Sequence, residues 1–281
     1  MNEMGMALSE KLIKTAAQIG LERLDLCSRL ARERILPAVR VCYGVDDRQR
    51  AEAFGTCFLL RVSGRPFLVT AAHVIDKNKY TTIYIGGAGN LVQLEATFLA
   101  TEAPREVRAN DHFDFAFTEL TDSQCTDLSA NVLIDESEVS SNQAPSQDRF
   151  YMAVGYPAAR QRVVWGQTVV RTDPWTYIGV DRPRPELSEK LSVDQPTHFF
   201  LGYDKYAKTF DGNLQNAIQP AGSSGGVLVD LGPMGLDQYR RESPCVALLA
   251  GVLIEHHANH KAILAVKIQL VLEQIRRHLN R

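Results

Sequence analysis

Gln219-Pro220-Ala221-Gly222-Ser223-Ser224-Gly225-Gly226-Val227-Leu228 sets a serine among glycines and runs straight into strand-forming residues. The glycines permit tight backbone geometry and the close approach of another group, which a Cβ would obstruct. A serine hydroxyl is a weak nucleophile at neutral pH. It needs a neighbouring base, and the oxyanion it creates needs fixed donors. Read alone, the stretch is equally a Ser/Gly surface turn.

Two further stretches change that reading. Thr70-Ala71-Ala72-His73-Val74 follows the apolar run Pro66-Phe67-Leu68-Val69, and Phe113-Asp114-Phe115-Ala116-Phe117 sets an acid within a run of aromatics. The chain order is then His73, Asp114, Ser224. With these motifs the sequence resembles the trypsin-like (chymotrypsin-fold) serine peptidases, which carry Ala-Ala-His, Asp-x-Ala and Gly-x-Ser-Gly-Gly in this order. Gly55-Thr56-Cys57-Phe58-Leu59, Ala153-Val154-Gly155-Tyr156-Pro157 and Ala217-Ile218-Gln219-Pro220 are closest to the HtrA/Deg branch, although no PDZ module follows. The resemblance runs from Pro37 to the C-terminus.

The resemblance implies a serine endopeptidase. Ser224 attacks a scissile carbonyl, His73 takes and returns its proton, and Asp114 fixes the imidazole tautomer. The N–H groups of Gly222 and Ser224 would form the oxyanion hole. The specificity pocket would be built from the segment holding Ile218 and Gln219, from the strand holding Gly251, Val252, Leu253 and Ile254, and from the strand Ala262 to Val266. No acid precedes the serine, so a small or medium apolar residue is expected on the acyl side of the scissile bond, unless Glu255 reaches in. Ser223 stands where activated zymogens carry an aspartate, so control is expected through loop ordering or a partner.

Alternatives stay open. Asp111 or Asp76 could replace Asp114, which is favoured because a lone carboxylate between Phe113, Phe115 and Phe117 is costly without a partner. Gly222-Ser223-Ser224-Gly225-Gly226 also fits the nucleophile elbow of an α/β-hydrolase esterase, with Asp237 and His256, His257 or His260 to follow. The polar residues before Ser224 and the strand formers after it argue against an elbow. A protease-fold binding or scaffold module is the alternative of a different class. His256 and His260, four apart, lack a further fixed ligand apart from Glu255, so no metal and no cofactor are expected.

The 281 residues are 45% apolar and 23% charged, with a net charge of −2, ordinary for a globular chain and pointing to neither nucleic acid nor an anionic membrane. No apolar run approaches the ~20 residues that span a bilayer. Cys27, Cys42, Cys57, Cys125 and Cys245 are odd in number and widely spaced, which speaks against a disulfide framework or zinc site. Val74 stands where secreted relatives of the family often carry cysteine. Both observations, with the absence of a leader, point to a reducing, cytoplasmic setting.

The expected fold is mostly β: two six-stranded antiparallel barrels, about 37–135 and 149–266, with an N-terminal helical extension in 1–36 and a C-terminal helix at 267–280. A trypsin-like domain would thus span 37–281. A helix is predicted over 8–35, capped by Ser9, with Leu12, Ala16, Ile19, Leu26 and Leu30 on one face and Leu24 and Cys27 alongside. It is the expected surface for a regulatory protein partner, beside a protein or peptide substrate. Strands are predicted at 54–62, 66–70, 81–85, 91–100 and 113–120, and again at 150–155, 163–171, 175–180, 197–203, 226–230, 246–254 and 262–266. A polar loop is expected over 181–196 and another around the histidines at 256–260.

Overall fold

A computed structural model describes residues 13–45, 50–86, 91–141, 149–163, 170–210, 213–234 and 244–281. The chain is mostly β, built from antiparallel sheets with a helix toward each end. In the first large sheet the strands lie in the order Leu91–Gln93, Tyr84–Gly86, Val39–Val45, Ala51–Val62, Arg65–Ala71, Phe115–Glu119, Leu99–Ala100. Ile134–Asp135 joins Ala51–Val62 in parallel. The second sheet runs Trp175–Val180, Arg149–Gly155, Val227–Pro233, Leu248–His257, Ala262–Lys267, His198–Gly202. Its outer strands are linked by the bridge between Asp181 and Leu201.

The two-residue period of the strands sorts the core. Phe58, Leu60 and Val62 face one apolar cluster, while Cys57 and Leu59 face another with Leu68, Ile83 and Ile85. In the second sheet Met152, Val154, Val227 and Val229 face the shared cluster, and Tyr151, Ala153 and Leu228 face a third. The shared cluster therefore joins both sheets. It also takes Leu24, Ala31 and Ile35 of the N-terminal helix and Ile268, Val271, Leu272 and Ile275 of the C-terminal helix. Burying each such aliphatic side chain is worth about 1.5–3 kcal/mol.

Several expectations are corrected here. The N-terminal helix spans Ala16–Ile35 and is capped by Thr15, whose side chain accepts from the Gln18 N–H while Gln18 returns a bond to the Thr15 N–H. Ser9, Leu12 and the rest of 8–12 lie outside the described residues. The helix buries Leu24, Cys27, Ala31 and Ile35, whereas Ile19, Leu26 and Leu30 are exposed. Two apolar stripes compete on this helix, and the one spaced to meet the sheets wins.

Cys27 is disulfide-bonded to Cys245, 218 residues away. This overturns the reading of the cysteines as unpaired and removes them as support for a reducing compartment, since such bonds persist where conditions are oxidising. The expected loop over 181–196 contains the helix Pro185–Leu191, seated by Leu187 and Leu191. The strand expected over 91–100 is two short strands, Leu91–Gln93 and Leu99–Ala100. Of that expected over 163–171, Val163 ends one strand and Val170–Thr172 forms another, with 164–169 outside the described residues. His256 and His257 belong to a strand rather than a loop.

The C-terminal helix is Ile268–Leu279, with Arg276, Arg277 and His278 in its last turn where cations complement the dipole. No helix among the described residues is long and apolar enough to cross a membrane.

Candidate active site

His73 sits in the short helix Ala72–Asp76, directly after the strand Arg65–Ala71. Asp114 lies just before the neighbouring strand Phe115–Glu119, outside it rather than within it, in a left-handed conformation with φ 38°. Aspartate tolerates that region better than most residues. The turn aims its carboxylate back at His73, and both oxygens are used. Asp114 Oδ2 lies 2.5 Å from His73 Nδ1, and Oδ1 accepts from the His73 backbone N–H at 2.9 Å. The Asp114 carbonyl accepts from the Ala72 N–H at 3.0 Å.

Asp114 is 3% exposed. Burial pushes its carboxyl above its ordinary value, and the hydrogen bonds and charge of His73 pull it partly back. Asp111 repels it slightly yet also holds it, since Asp111 Oδ1 accepts from the Asp114 N–H at 3.0 Å. Arg108 binds Asp111 at 2.6 Å and Asp76 at 2.7 Å. The two rival acids are thus occupied by one guanidinium. The support that Asp111 gives to Asp114 was not legible in the sequence, because Arg108 and Asp111 carry no motif of their own.

Ser224 occupies the turn before the strand Val227–Pro233. Gly225 has φ 83°, and a Cβ there would fall 2.0 Å from the Thr56 carbonyl and 2.8 Å from the Ala71 backbone nitrogen. The serine turn is therefore seated on the first sheet, two residues along from His73. Thr56, wholly buried, ties it down. Its N–H donates to the Ser224 carbonyl at 2.9 Å and its hydroxyl to the Gly222 carbonyl at 2.9 Å, while that hydroxyl accepts from the Tyr156 N–H at 3.0 Å. The Ser224 hydroxyl donates to the Ile254 carbonyl at 3.1 Å, and no hydrogen bond joins it to His73. Catalytic hydrogen bonds are often long or misaligned before substrate binds.

The Ala221–Gly222 and Ser223–Ser224 peptide planes are fixed by their carbonyls. The Ala221 carbonyl accepts from Ala158 N–H and the Ser223 carbonyl from Gly226 N–H, both at 2.9 Å. In a trans peptide the N–H points opposite its C=O. The N–H groups of Gly222 and Ser224 are therefore turned away from these anchors, and neither donates to another group among the described residues. Gly222 reaches this arrangement at φ 93°.

A cavity of about 270 Å³ opens beside Ser224. Leu253 and Ile254 line it, as expected. Ile218 and Gln219 do not, and neither do Gly251 and Val252. Ile218 packs beside the third apolar cluster, Val252 faces the shared core, and Gly251 lies against the carbonyl of Val266. Ile263 comes from the strand Ala262 to Val266 that was expected to help build the pocket, and the missed wall residues include Trp175, Ser223 and His256. A β-bulge hides His256 from sequence periodicity. Leu253 pairs with Ala265, Glu255 with Leu264 and His256 with Ile263, so one extra residue sits between Leu253 and Glu255.

That shift settles Glu255. Its Oε1 lies 3.0 Å from His112 Nδ1 and its Oε2 2.6 Å from His257 Nε2. Burial works to raise its carboxyl, but the two histidines outweigh it and hold it below its ordinary value. Glu255 lines the cavity beside Ser224, with both oxygens engaged by these histidines. His256 and His260 share no ligand, and no group of three metal-binding side chains occurs among the described residues. Asp237, which the esterase alternative needs, lies outside the described residues.

No family model matches the chain, and no curated protein matches it. Solved chains do match. One, from work described as "Aromatic interactions drive the coupled folding and binding of the intrinsically disordered Sesbania mosaic virus VPg protein", covers 84% of this chain and 88% of that one, at 13% identity and a TM-score of 0.46. A likeness that distant assigns this chain neither a function nor a partner.

Proposed function

We propose that the chain is a serine endopeptidase acting through His73, Asp114 and Ser224. The observation that carries this is the Asp114 carboxylate, buried and spending both oxygens on His73, with the Ser224 turn seated on the same sheet. Asp114 holds Nδ1 protonated, leaving Nε2 free to take the Ser224 proton as the hydroxyl attacks a peptide carbonyl. The N–H groups of Gly222 and Ser224 receive the oxyanion, and each such donor is worth about 3–4 kcal/mol in the transition state. His73 then delivers the proton to the leaving amine, and water repeats the cycle on the acyl-enzyme. No step calls for a metal or organic cofactor. On this reading the two sheets are the walls of two six-stranded barrels with the site between them.

The hydrogen bond of the Ser224 hydroxyl to the Ile254 carbonyl, rather than to His73, favours a second reading, a latent protease or a scaffold that a partner completes. Ile19, Leu26 and Leu30, at i, i+7 and i+11 on the exposed face of the N-terminal helix, support that helix as the partner's surface. Hydrolysis of an unfolded protein substrate separates the readings. The protease reading expects cleavage by the purified chain and none by Ser224→Ala. Cleavage that persists in Ser224→Ala would remove the proposed nucleophile, and a folded wild type with no activity would leave the latent reading. A cytoplasmic setting is proposed only if Cys27 and Cys245 prove reduced when the protein is alkylated at the moment of cell lysis; a bond intact at that point places it elsewhere.

A further inference from the structure

The end of the N-terminal helix, the start of the strand Val39–Val45 and Tyr156 flank a second cavity, of about 630 Å³. Three guanidinium groups line it, those of Arg29, Arg32 and Arg40, against one carboxylate, Glu33. Arg29 reaches Asp25 at 3.3 Å. Arg32 and Arg40 have no acid partner among the described residues, although Arg40 donates to the carbonyls of Pro37 and Val39. Tyr156 is the aromatic wall. Its ring packs against the shared core and against the cluster of Val41, Tyr43 and Ala53, while its hydroxyl makes no hydrogen bond among the described residues. Burial raises the proton affinity of that phenol, with the charges of Arg40 and Arg32 pulling against it, so the group stays an O–H donor.

We propose that this cavity is an effector site for a phosphate group, bound by Arg32, Arg40 and the Tyr156 hydroxyl, and that its occupation steadies the Ser224 turn. The binding stands by itself, and the effect on Ser224 rests on the endopeptidase reading. The cavity offers donors with one opposing acid, so it calls for an anion that brings several acceptors. A phosphate monoester carries three acceptor oxygens and about two negative charges at pH 7. Guanidinium groups pair with such oxygens in a fixed fork. A carboxylate brings a single charge, which Glu33 offsets. Leu36, Pro37 and the Tyr156 ring give apolar ground to the carbon group that carries the phosphate. The path to Ser224 is short. The Tyr156 N–H donates to the Thr56 hydroxyl at 3.0 Å, and that hydroxyl donates to the Gly222 carbonyl at 2.9 Å. A Cβ on Gly222 would stand 3.2 Å from the Tyr156 carbonyl. A ligand that holds Tyr156 thus holds the seat of a proposed oxyanion donor, and donors fixed beforehand need no reorganisation during reaction.

The test uses the full chain with its disulfide intact. Calorimetry at constant ionic strength measures the binding of phenyl phosphate, inorganic phosphate and benzoate, and fluorophosphonate labelling of Ser224 is timed with and without saturating phenyl phosphate. Phenyl phosphate is expected to bind about tenfold or more tighter than benzoate, to lose about tenfold in Arg32→Gln and to weaken in Tyr156→Phe. It is expected to speed labelling about threefold or more. Arg32 is exposed, so Arg32→Gln is expected to fold and to label at the wild-type rate without phosphate. Phenyl phosphate binding tighter than inorganic phosphate assigns the site to an organic monoester, and equal binding assigns it to free phosphate. No saturable binding, or binding that Arg32→Gln retains in full, overturns the site and leaves these arginines to offset the helix dipole. Binding with an unchanged labelling rate overturns the effector role. Phosphate binding to a folded wild type that never labels, with phosphate or without, keeps the site and overturns the endopeptidase reading.

Discussion

At the residue scale the site works by spending hydrogen bonds. Asp114 has both oxygens on His73, and Asp111 holds Asp114 by its backbone. Asp111 acts through another residue, so it is a positioning residue. In Asp111→Asn the Arg108 pairing weakens, and kcat is expected to fall about 10-fold or more with KM little changed, since a small misplacement of catalytic groups is costly. An equal rise in KM with kcat untouched would contradict that role. Ser223 makes the opposite prediction for stability, since its buried hydroxyl has no partner among the described residues. Removing its unpartnered hydroxyl in Ser223→Ala is expected to raise the unfolding free energy by about 1 kcal/mol in urea denaturation; a loss of stability would show that the hydroxyl has a structural partner. The pairing of His73 with Asp114 was legible in the sequence because each sits in a contiguous motif. Asp111 and His256 were not, because one acts through Arg108 and the other is turned into the cavity by a single inserted residue.

At the element scale, the N-terminal helix is part of the body rather than an appendage. Three of its apolar residues enter the shared core, and Cys27 fastens it to Cys245. A crosslink closing so long a loop is worth about 2–4 kcal/mol. The Cys27→Ser, Cys245→Ser double variant is therefore expected to lose that much in denaturant unfolding, and an unchanged midpoint would contradict the account. The helix itself was visible in its spacing, but its buried face was not. Ile19, Leu26 and Leu30 form as regular a stripe as Leu24, Ala31 and Ile35, and only the position of the sheets decides between them. The pairing of Cys27 with Cys245 was hidden for a related reason: it depends on where the chain returns after 218 residues.

At the scale of the whole molecule, the two sheets share one apolar cluster, and polar contacts beside the site also cross between them. His198, wholly buried in the second sheet, sits with Nε2 2.8 Å from the His112 carbonyl. Burial lowers its proton affinity, partly offset by that carbonyl and by Asp194 and Glu255. The folded state thus resists a proton that the unfolded chain accepts near pH 6.5, so stability falls as pH drops below about 6.5. The fall between pH 7 and 5.5 is expected to shrink in His198→Gln; an identical slope would show that other groups set it. The antiparallel β class was legible from the spacing of strands and turns, whereas the extra strands of the first sheet rest on pairings too short to carry a pattern. The central claim is that these contacts hold Ser224 as an activated nucleophile, and labelling of the purified protein by a fluorophosphonate tests it most directly. The account predicts covalent labelling of wild type that is lost in Ser224→Ala and strongly slowed in His73→Ala. Labelling that survives in Ser224→Ala, or at the wild-type rate without His73, would contradict it.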